Sequence, residues 1–536
     1  MLVTANDPRQ QSARRLPPLP RRTVKAAGCC LASAVLLAAA QDLPRCGWLI
    51  FVGLVPVCLV VDPSRFLRTW AAFVLVNAVY TALTIYWVSY AGDGYGWLLP
   101  VASVYNTVFM LIPAACCWAF RPGSAPASRL LILAAAWTLM EVLARHVLLG
   151  VSWALLGQPL ADWPALAQGA ALGGPESLSF LVVAVNVAIA LAARDVSRTV
   201  KVLGIVQGPG LFLALLLWGT WRLDSPGATS ASFRVAVIQP NTDQEQKWDP
   251  GKRQALLADL DRRIDRTLPE QPELIVLPET AVAGLVRFEN DLTHWVRATV
   301  IRTRRPLLFG TLDLTDTPGQ VCNVAILITP YNTVTTYGKT RLVPVAEYLP
   351  ALGPLSGWLA GLRCGWVSYT PGAEPTTFAL AQGVTFSTMI CYEDIFPDLA
   401  RDFAAAGAGM LITLGNTERF KHSCASHQQL RRARLTALAV GLPMVRCTNS
   451  GISCVIDCHG RVLDTLEGEN GAAVMVEGSQ VFAVPRQGVP TVYRRFGDAL
   501  PLAASGVVIV AGIGGTRLRF RGRKRRRHGP LPLCFP

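Results

Sequence analysis

TMICYEDIFP, residues 388–397, closes an apolar run with a cysteine, an aromatic and two acids. With the preceding TFS it reads as a short buried strand, and Cys391 stands at the point where the chain leaves it. Taken alone, a thiol behind such a run is ordinarily core packing. Comparable runs recur on both sides: FRVAVIQP at 233–240, ELIVLPE at 273–279, PLLFGTL at 306–312, NVAILI at 323–328, GMLITLGN at 409–416 and MVRCTN at 444–449. Helical patterns separate several of them. In 250–268, Leu256, Leu257, Leu260, Ile264 and Leu268 share one face while Asp and Arg occupy the other. Alternating strands and helices over residues 232–487 define an α/β region.

The rest of the chain is of another kind. Of 536 residues, 51% are hydrophobic and only 16% charged, which is too apolar for a soluble protein of this length. Spanning a bilayer core of about 30 Å takes about 20 apolar helical residues. Seven spans are expected near 26–41, 46–61, 70–91, 96–120, 129–150, 178–193 and 202–221, and an eighth near 499–514. The first is read as a span and not a cleaved leader, since no clear small-residue cleavage site ends it. The expected division is a basic terminus 1–25, membrane helices 26–222, a Pro/Ser/Gly linker 223–231, the α/β region 232–487, a return segment and last span 488–515, and a basic tail 516–536.

Charge orients these spans. With the basic N-terminus in the cytoplasm, the cytoplasmic loops carry Arg65 and Arg68, then Arg121 and Arg129, then Arg194, Arg198 and Lys201, while the opposite loops hold Asp42 and Asp93. Residues 223–498 then lie outside the cytoplasm, and the tail RLRFRGRKRRRH returns to the inner face. The net charge of +15 reflects orientation and attraction to anionic lipid, not nucleic-acid binding. An extracytoplasmic α/β region permits disulfides, but its cysteines, Cys322, Cys364, Cys391, Cys424, Cys447, Cys454 and Cys458, are odd in number. At least one is free or pairs outside the chain.

Ligands and reactive groups of α/β sheets gather beyond strand ends. Three ionisable residues stand there: Glu279 after LIVLP, Lys339 in TTYGKTRLVP and Cys391. Separately, each has a plain structural reading as a solvated acid, a surface charge or a core thiol. Together they form a chemical set. A thiol with a pKa of about 8.5 is mostly protonated at neutral pH and needs a base or a positive field to become a nucleophile. A carboxylate takes its proton, and an ammonium stabilises both the thiolate and the oxyanion formed on a carbonyl.

These segments resemble the nitrilase superfamily, whose Glu-Lys-Cys triad sits in a four-layer αββα sandwich. More narrowly, the chain resembles the apolipoprotein N-acyltransferase family. The likeness rests on IQPNTDQEQKW at 238–248, LPETAV at 277–282, YGKTRLVPVAEYLP at 337–350, ICYED at 390–394, RCTNSGIS at 446–453 and YRRFGD at 493–498. It implies Cys391 as nucleophile, Glu279 as general base and Lys339 as the group stabilising the tetrahedral intermediates, with the backbone N–H of Tyr392 completing the oxyanion site. Glu347 matches a carboxylate that orients the lysine, and Glu393 a further supporting acid. It also implies an acyl chain passing from a phospholipid, usually phosphatidylethanolamine, through a cysteine thioester to the α-amine of a diacylated lipoprotein. No cofactor or metal is implied. A monomer in the bacterial inner membrane with its catalytic region facing the periplasm is expected. The chain departs from the family pattern at a loop, where Asn416, Thr417, Glu418, Arg419 and Phe420 stand in place of a stretch with an aspartate and a tryptophan, and at Gln429 and Ala439, where a histidine and a glutamate are usual. The alternative these departures imply is a specialised paralogue with another amine acceptor.

Two further features carry separate expectations. His422, Cys424 and His427 have no standard zinc spacing and are not read as ligands, and no H-E-x-x-H, G-x-S-x-G or Walker sequence is present. Glu141 falls inside the fifth expected span, where an ionisable group faces protein or water; it lines the substrate entrance or makes a structural hydrogen bond. Two competing functions stand beside acyl transfer. A membrane-tethered amidase would use the same triad with water as acceptor, but a soluble substrate needs only one anchor. A non-catalytic envelope protein has no reason to keep the three reactive residues.

Overall fold

The computed structural model describes residues 21–510 except 91–94, 120–125, 148–149, 151, 195–196, 225–231, 316, 318, 351–356, 358–367 and 487. Most of the expected linker, Cys364, Asp93 and the basic tail 516–536 lie outside the described residues.

Among the described residues, twelve strands form two six-stranded sheets. They are β1 (Ser232–Gln239), β2 (Leu274–Val276), β3 (Leu307–Leu314), β4 (Val321–Ile328), β5 (Val334–Gly338), β6 (Phe378–Ala379), β7 (Thr385–Ile390), β8 (Met410–Gly415), β9 (Met444–Thr448), β10 (Cys454–Ile456), β11 (Val462–Thr465) and β12 (Gly478–Pro485). The first sheet has the order β12-β1-β2-β3-β4-β5 and the second β11-β10-β9-β8-β7-β6. Each contains a parallel triplet, β1-β2-β3 and β7-β8-β9. Parallel neighbours need crossovers, and helices supply them. Arg253–Thr267 and Asn290–Thr303 serve the first sheet, Pro397–Ala405 and Ala425–Val440 the second.

Strand residues of alternate parity face opposite ways, and the sequence uses both faces. Ala236, Ile238, Ile275 and Leu277 pack under Leu260, Ile264, Leu292 and Val296 of the outer helices. Val235, Val237 and Val276 enter a core shared with Leu411, Val445 and Cys447 of the other sheet. Contact between the sheets is close, with Cys447 Sγ 3.4 Å from the carbonyls of Ile238 and Val276. The layers are therefore helix, sheet, sheet, helix. Short strands such as β10 and β11, and the edge strands β5 and β6, were not expected from sequence because their apolar runs are brief or half exposed.

The membrane region corrects the expected count of eight spans. Among the described residues, four helices are long and apolar enough to cross: Arg21–Asp42, Phe66–Thr84, Leu98–Ala119 and Arg198–Asp224. A fifth arises if the pair Pro164–Gly173 and Glu176–Ala192, bent by 117°, is one span. The bend falls at Gly174 (φ 78°) and Pro175, a left-handed residue followed by an imide that ends a helix. The second expected span is only the apolar stretch Gly47–Val60, which opens as a 3₁₀ turn and, at about 1.5 Å per residue, is too short to cross. The fifth falls in helix Pro126–His146, interrupted by Glu141 and Arg145. The eighth is described only as Ala499–Val510.

Helix Ala425–Val440 is the seam between the two regions. One face packs on the second sheet through Ala433, Ala437 and Val440. The other sends Leu435 and Leu438 into the core of the membrane helices. Gln428 fastens the seam: its Oε1 accepts from Trp87 Nε1 at 3.0 Å and Trp153 Nε1 at 2.7 Å, and its Nε2 donates to Asp42 Oδ1 at 2.6 Å. A second fastening is ionic. Arg145, fully buried, meets Glu176, Asp398 and Asp498 at 3.3, 3.0 and 2.6 Å.

Candidate active site

Cys391, Lys339 and Glu279 stand at the ends of three strands. Cys391 follows Ile390, the last residue of β7; Lys339 follows Gly338, which ends β5; Glu279 lies three residues past β2. The strand stops at Ile390, and the chain turns into a 3₁₀ helix, Cys391–Ile395. The turn forms because Glu393 Oε2 reaches back to accept the N–H of Ile390 at 2.7 Å. Cys391 thereby adopts φ 53°, a left-handed conformation that costs a non-glycine residue about 1–3 kcal/mol. Its thiol consequently projects from the sheet end toward Asn416, whose carbonyl lies 3.7 Å from Sγ.

Lys339 is buried between two carboxylates. Its Nζ lies 2.6 Å from Glu347 Oε1 and 3.5 Å from Glu279 Oε1. Glu279 Oε1 also accepts from Asn323 Nδ2 at 2.8 Å, and Glu347 Oε2 from the N–H of Val343 at 2.8 Å. Burial alone would lower the lysine, but Glu347 and then Glu279 outweigh it and hold the ammonium well above its ordinary range. Burial raises the Glu347 carboxyl, with Lys339 opposing. The Cys391 thiol is likewise pushed up, first by burial and then by the charge of Glu279, while Lys339 pulls it down. Such a thiol rests protonated and needs a base for nucleophilic attack.

Glu393 does not face the reaction space. It lies beneath it, fully buried, and its Oε1 accepts from Tyr337 Oη, the N–H groups of Thr340 and Arg341, and Thr340 Oγ1 at 2.8–3.1 Å. The cysteine turn and the lysine loop thus share one anchor. Gln429 adds another, donating to the carbonyl of Cys391 at 3.0 Å and to Asp394 at 3.1 Å. Tyr392 stacks parallel to Trp153 with ring centroids 6.1 Å apart.

All three strand-end residues open on one cavity of about 420 Å³. The α/β region contributes Glu279, Lys339, Glu347, Cys391, Tyr392 and Asn416; the membrane helices contribute Phe73, Tyr80, Tyr105, Phe109, Trp137 and Met140. An apolar chamber with a few convergent polar groups at one place is the usual form of a ligand site. The loop that departs from the family pattern lines it too, through Thr417, Arg419 and Phe420, and Phe420 is set edge-on to Trp87 at 4.6 Å. Glu141 both lines the cavity and bonds structurally: its Oε1 accepts from Leu156 N at 3.0 Å and Trp137 Nε1 at 3.2 Å.

Cys424 lies with its Sγ 3.8 Å from the carbonyl of Thr84, and among the described residues no three His, Cys, Asp or Glu side chains gather to hold a metal ion. No disulfide joins the described cysteines. Sequence reasoning passed over Asn323, although a lone amide inside the apolar run VCNVAILI signals a buried polar partner. It also assigned nothing to Lys247, which lies behind Glu279.

The fold and this arrangement define a carbon-nitrogen hydrolase-like unit joined to membrane helices, and comparison with known proteins agrees. Residues 234–477 match the carbon-nitrogen hydrolase family model, and residues 33–188 match that of the apolipoprotein N-acyltransferase N-terminal domain. An apolipoprotein N-acyltransferase of Azotobacter vinelandii is 30% identical over 452 residues, 81% of this chain and 82% of that one. One from Geobacter metallireducens is 28% identical over 504 residues, 90% of this chain and 94% of that one. An amidase from Nesterenkonia sp. is similar in structure with a TM-score of 0.37 and 17% identity, covering 52% of this chain and 98% of that one. The chain belongs to the apolipoprotein N-acyltransferase family. It is a membrane-bound acyltransferase.

Proposed function

We propose that the chain moves an acyl group from a membrane phospholipid, through a thioester on Cys391, to the N-terminal α-amine of a diacylglyceryl-modified lipoprotein. The observation that carries this reading is the single cavity, walled by membrane helices, onto which Cys391, Glu279 and Lys339 all open. Donor and acceptor keep their chains in the bilayer, where each buried CH₂ is worth about 0.8 kcal/mol, so a site reached from the membrane avoids extracting them.

Glu279 takes the thiol proton as Sγ attacks the ester carbonyl. Lys339, held by Glu347, and the N–H of Tyr392 stabilise the oxyanion. Collapse breaks the ester C–O bond, the proton passes from Glu279 to the departing lyso-lipid oxygen, and the thioester remains. The neutral α-amine then attacks the thioester carbonyl. Its proton goes by way of Glu279 to the departing Sγ, which leaves an amide and restores the thiol. Phosphatidylethanolamine as donor, a monomer in the inner membrane and a catalytic region facing the periplasm complete the proposal; the basic loops support the orientation.

Incubation of the full chain with phosphatidylethanolamine is expected to leave a hydroxylamine-sensitive acyl label on Cys391. No label in a folded preparation, or an equal label in Cys391→Ala, sinks the nucleophile assignment. A diacylated lipopeptide should then discharge the label into an amide, whereas release of free fatty acid alone would make the chain a hydrolase.

A further inference from the structure

A second ammonium is buried behind the general base. Lys247 ends the short helix Gln244–Lys247, is 5% exposed, and donates from Nζ to the carbonyl of Glu279 and to Thr280 Oγ1, both at 3.2 Å. The turn it holds is strained. Thr280 has φ 47°, and the strand beneath comes so near that a Cβ on Gly310 would stand 2.7 Å from Glu279 Cα and 2.6 Å from Thr280 N. A glycine on one side and an ammonium on the other clamp the turn, Glu279 and Thr280, from which the Glu279 carboxylate projects.

Glu279, Glu418 and Cys391 face Lys247. Glu418 also pairs with Lys421, which meets Asp243 at 3.6 Å, and Asp249, Arg253 and Glu289 line with Lys247 a cavity of about 230 Å³ on the far side.

We propose that Lys247 is a positioning residue that sets the Glu279 turn through its two hydrogen bonds and adds to Lys339 a second positive field favouring the Cys391 thiolate. This rests on Cys391 being the nucleophile. Burial brings Lys247 down to about 8, against the opposing charges of Glu279, Glu418 and Cys391. Below that pH the ammonium is charged and the thiolate favoured; above it the field is lost.

The test is the rate at which iodoacetamide alkylates Cys391 in the full chain, followed by peptide mapping between about pH 6 and pH 10, with melting checked for each variant. Lys247→Met should slow labelling near pH 7 by about tenfold, the effect of one unit in the thiol pKa. Lys247→Arg keeps its charge at every pH, so it should label like the native chain below pH 8 and faster above pH 9. Thr280→Val, which keeps the ammonium and loses only one acceptor, should change the rate near pH 7 far less than Lys247→Met does. A native pH profile in folded Lys247→Met overturns the proposal. Should that variant not fold, an Arg profile that matches the native one above pH 9 overturns it. A native Cys391 no more reactive than buried Cys447 would instead remove the nucleophile reading itself.

Discussion

Glu393 Oε1 accepts the backbone N–H of Thr340 at 2.8 Å, so the acid two residues past the cysteine holds the residue next to the lysine. With Tyr337 Oη, Thr340 Oγ1, the N–H of Arg341 and the N–H of Ile390 it gathers five donors on one buried carboxylate. The separation of Cys391 from Lys339 is therefore set by a side chain that does not face the reaction space.

Glu393→Gln should accordingly damage both stability and chemistry. An amide must turn its NH₂ toward at least one of those donors, leaving a buried N–H unsatisfied at roughly 1–3 kcal/mol. Denaturant melting should register that loss, and acyl labelling of Cys391 should fall in the fraction that remains folded.

Glu347→Gln tests how Lys339 is aimed. Without the carboxylate at 2.6 Å, the ammonium keeps, among the described residues, Glu279 as its ionic partner and is drawn toward it. Thioester formation should fall by roughly 10²–10³, as when an oxyanion donor is lost, with little change in KM for the donor. An unaltered rate of acylation would show that Glu347 does not orient the lysine.

Met140 is buried and lines the cavity from the membrane side. Met140→Trp should fill part of the chamber, lowering kcat/KM for long-chain donors by at least about tenfold, or 1.4 kcal/mol, while sparing short-chain ones. Equal losses for both chain lengths would count against the cavity as the acyl site.

Asp498 gives a pH dependence with a defined sign. Against its burial, bonds from His146 and Arg145 bring it from the ordinary 3.8 to about 2. A depressed folded value means stability present above the unfolded pKa and lost as pH falls from about 4 to about 2, amounting to roughly 2 kcal/mol. Asp498→Asn should remove that acid-side slope from the melting curve and lower stability at neutral pH by a similar amount.

Much of the α/β region was legible because its long buried strands are apolar on both faces, and Glu279 and Cys391 each follow such a run, whereas Lys339 follows the half-exposed edge strand β5. Asn323, Lys247 and Gln428 were not legible, since each acts on residues far off in the chain: Asn323 on Glu279, Lys247 on the turn behind it, Gln428 on Trp87 and Trp153. The apolar run around Asn323 signals that it has a buried polar partner, but no neighbouring residue in any of the three segments names which residue that is. The spans illustrate a similar limit. Hydropathy detects an apolar run but not that Gly174 and Pro175 bend the chain through 117° or that Gly47–Val60 is too short to cross.

By itself, then, the sequence determined the α/β class and the membrane attachment, because local periodicity and residue chemistry are carried by neighbours along the chain, and it marked Glu279, Lys339 and Cys391 as a candidate set through their resemblance to the family's motifs. Only the tertiary structure decided that these residues open on one chamber built half from membrane helices, that Glu393 ties the cysteine turn to the lysine loop, and that a second lysine stands behind Glu279. Those are distances between segments up to hundreds of residues apart, and they arise only when both sheets and the helices close around a common core.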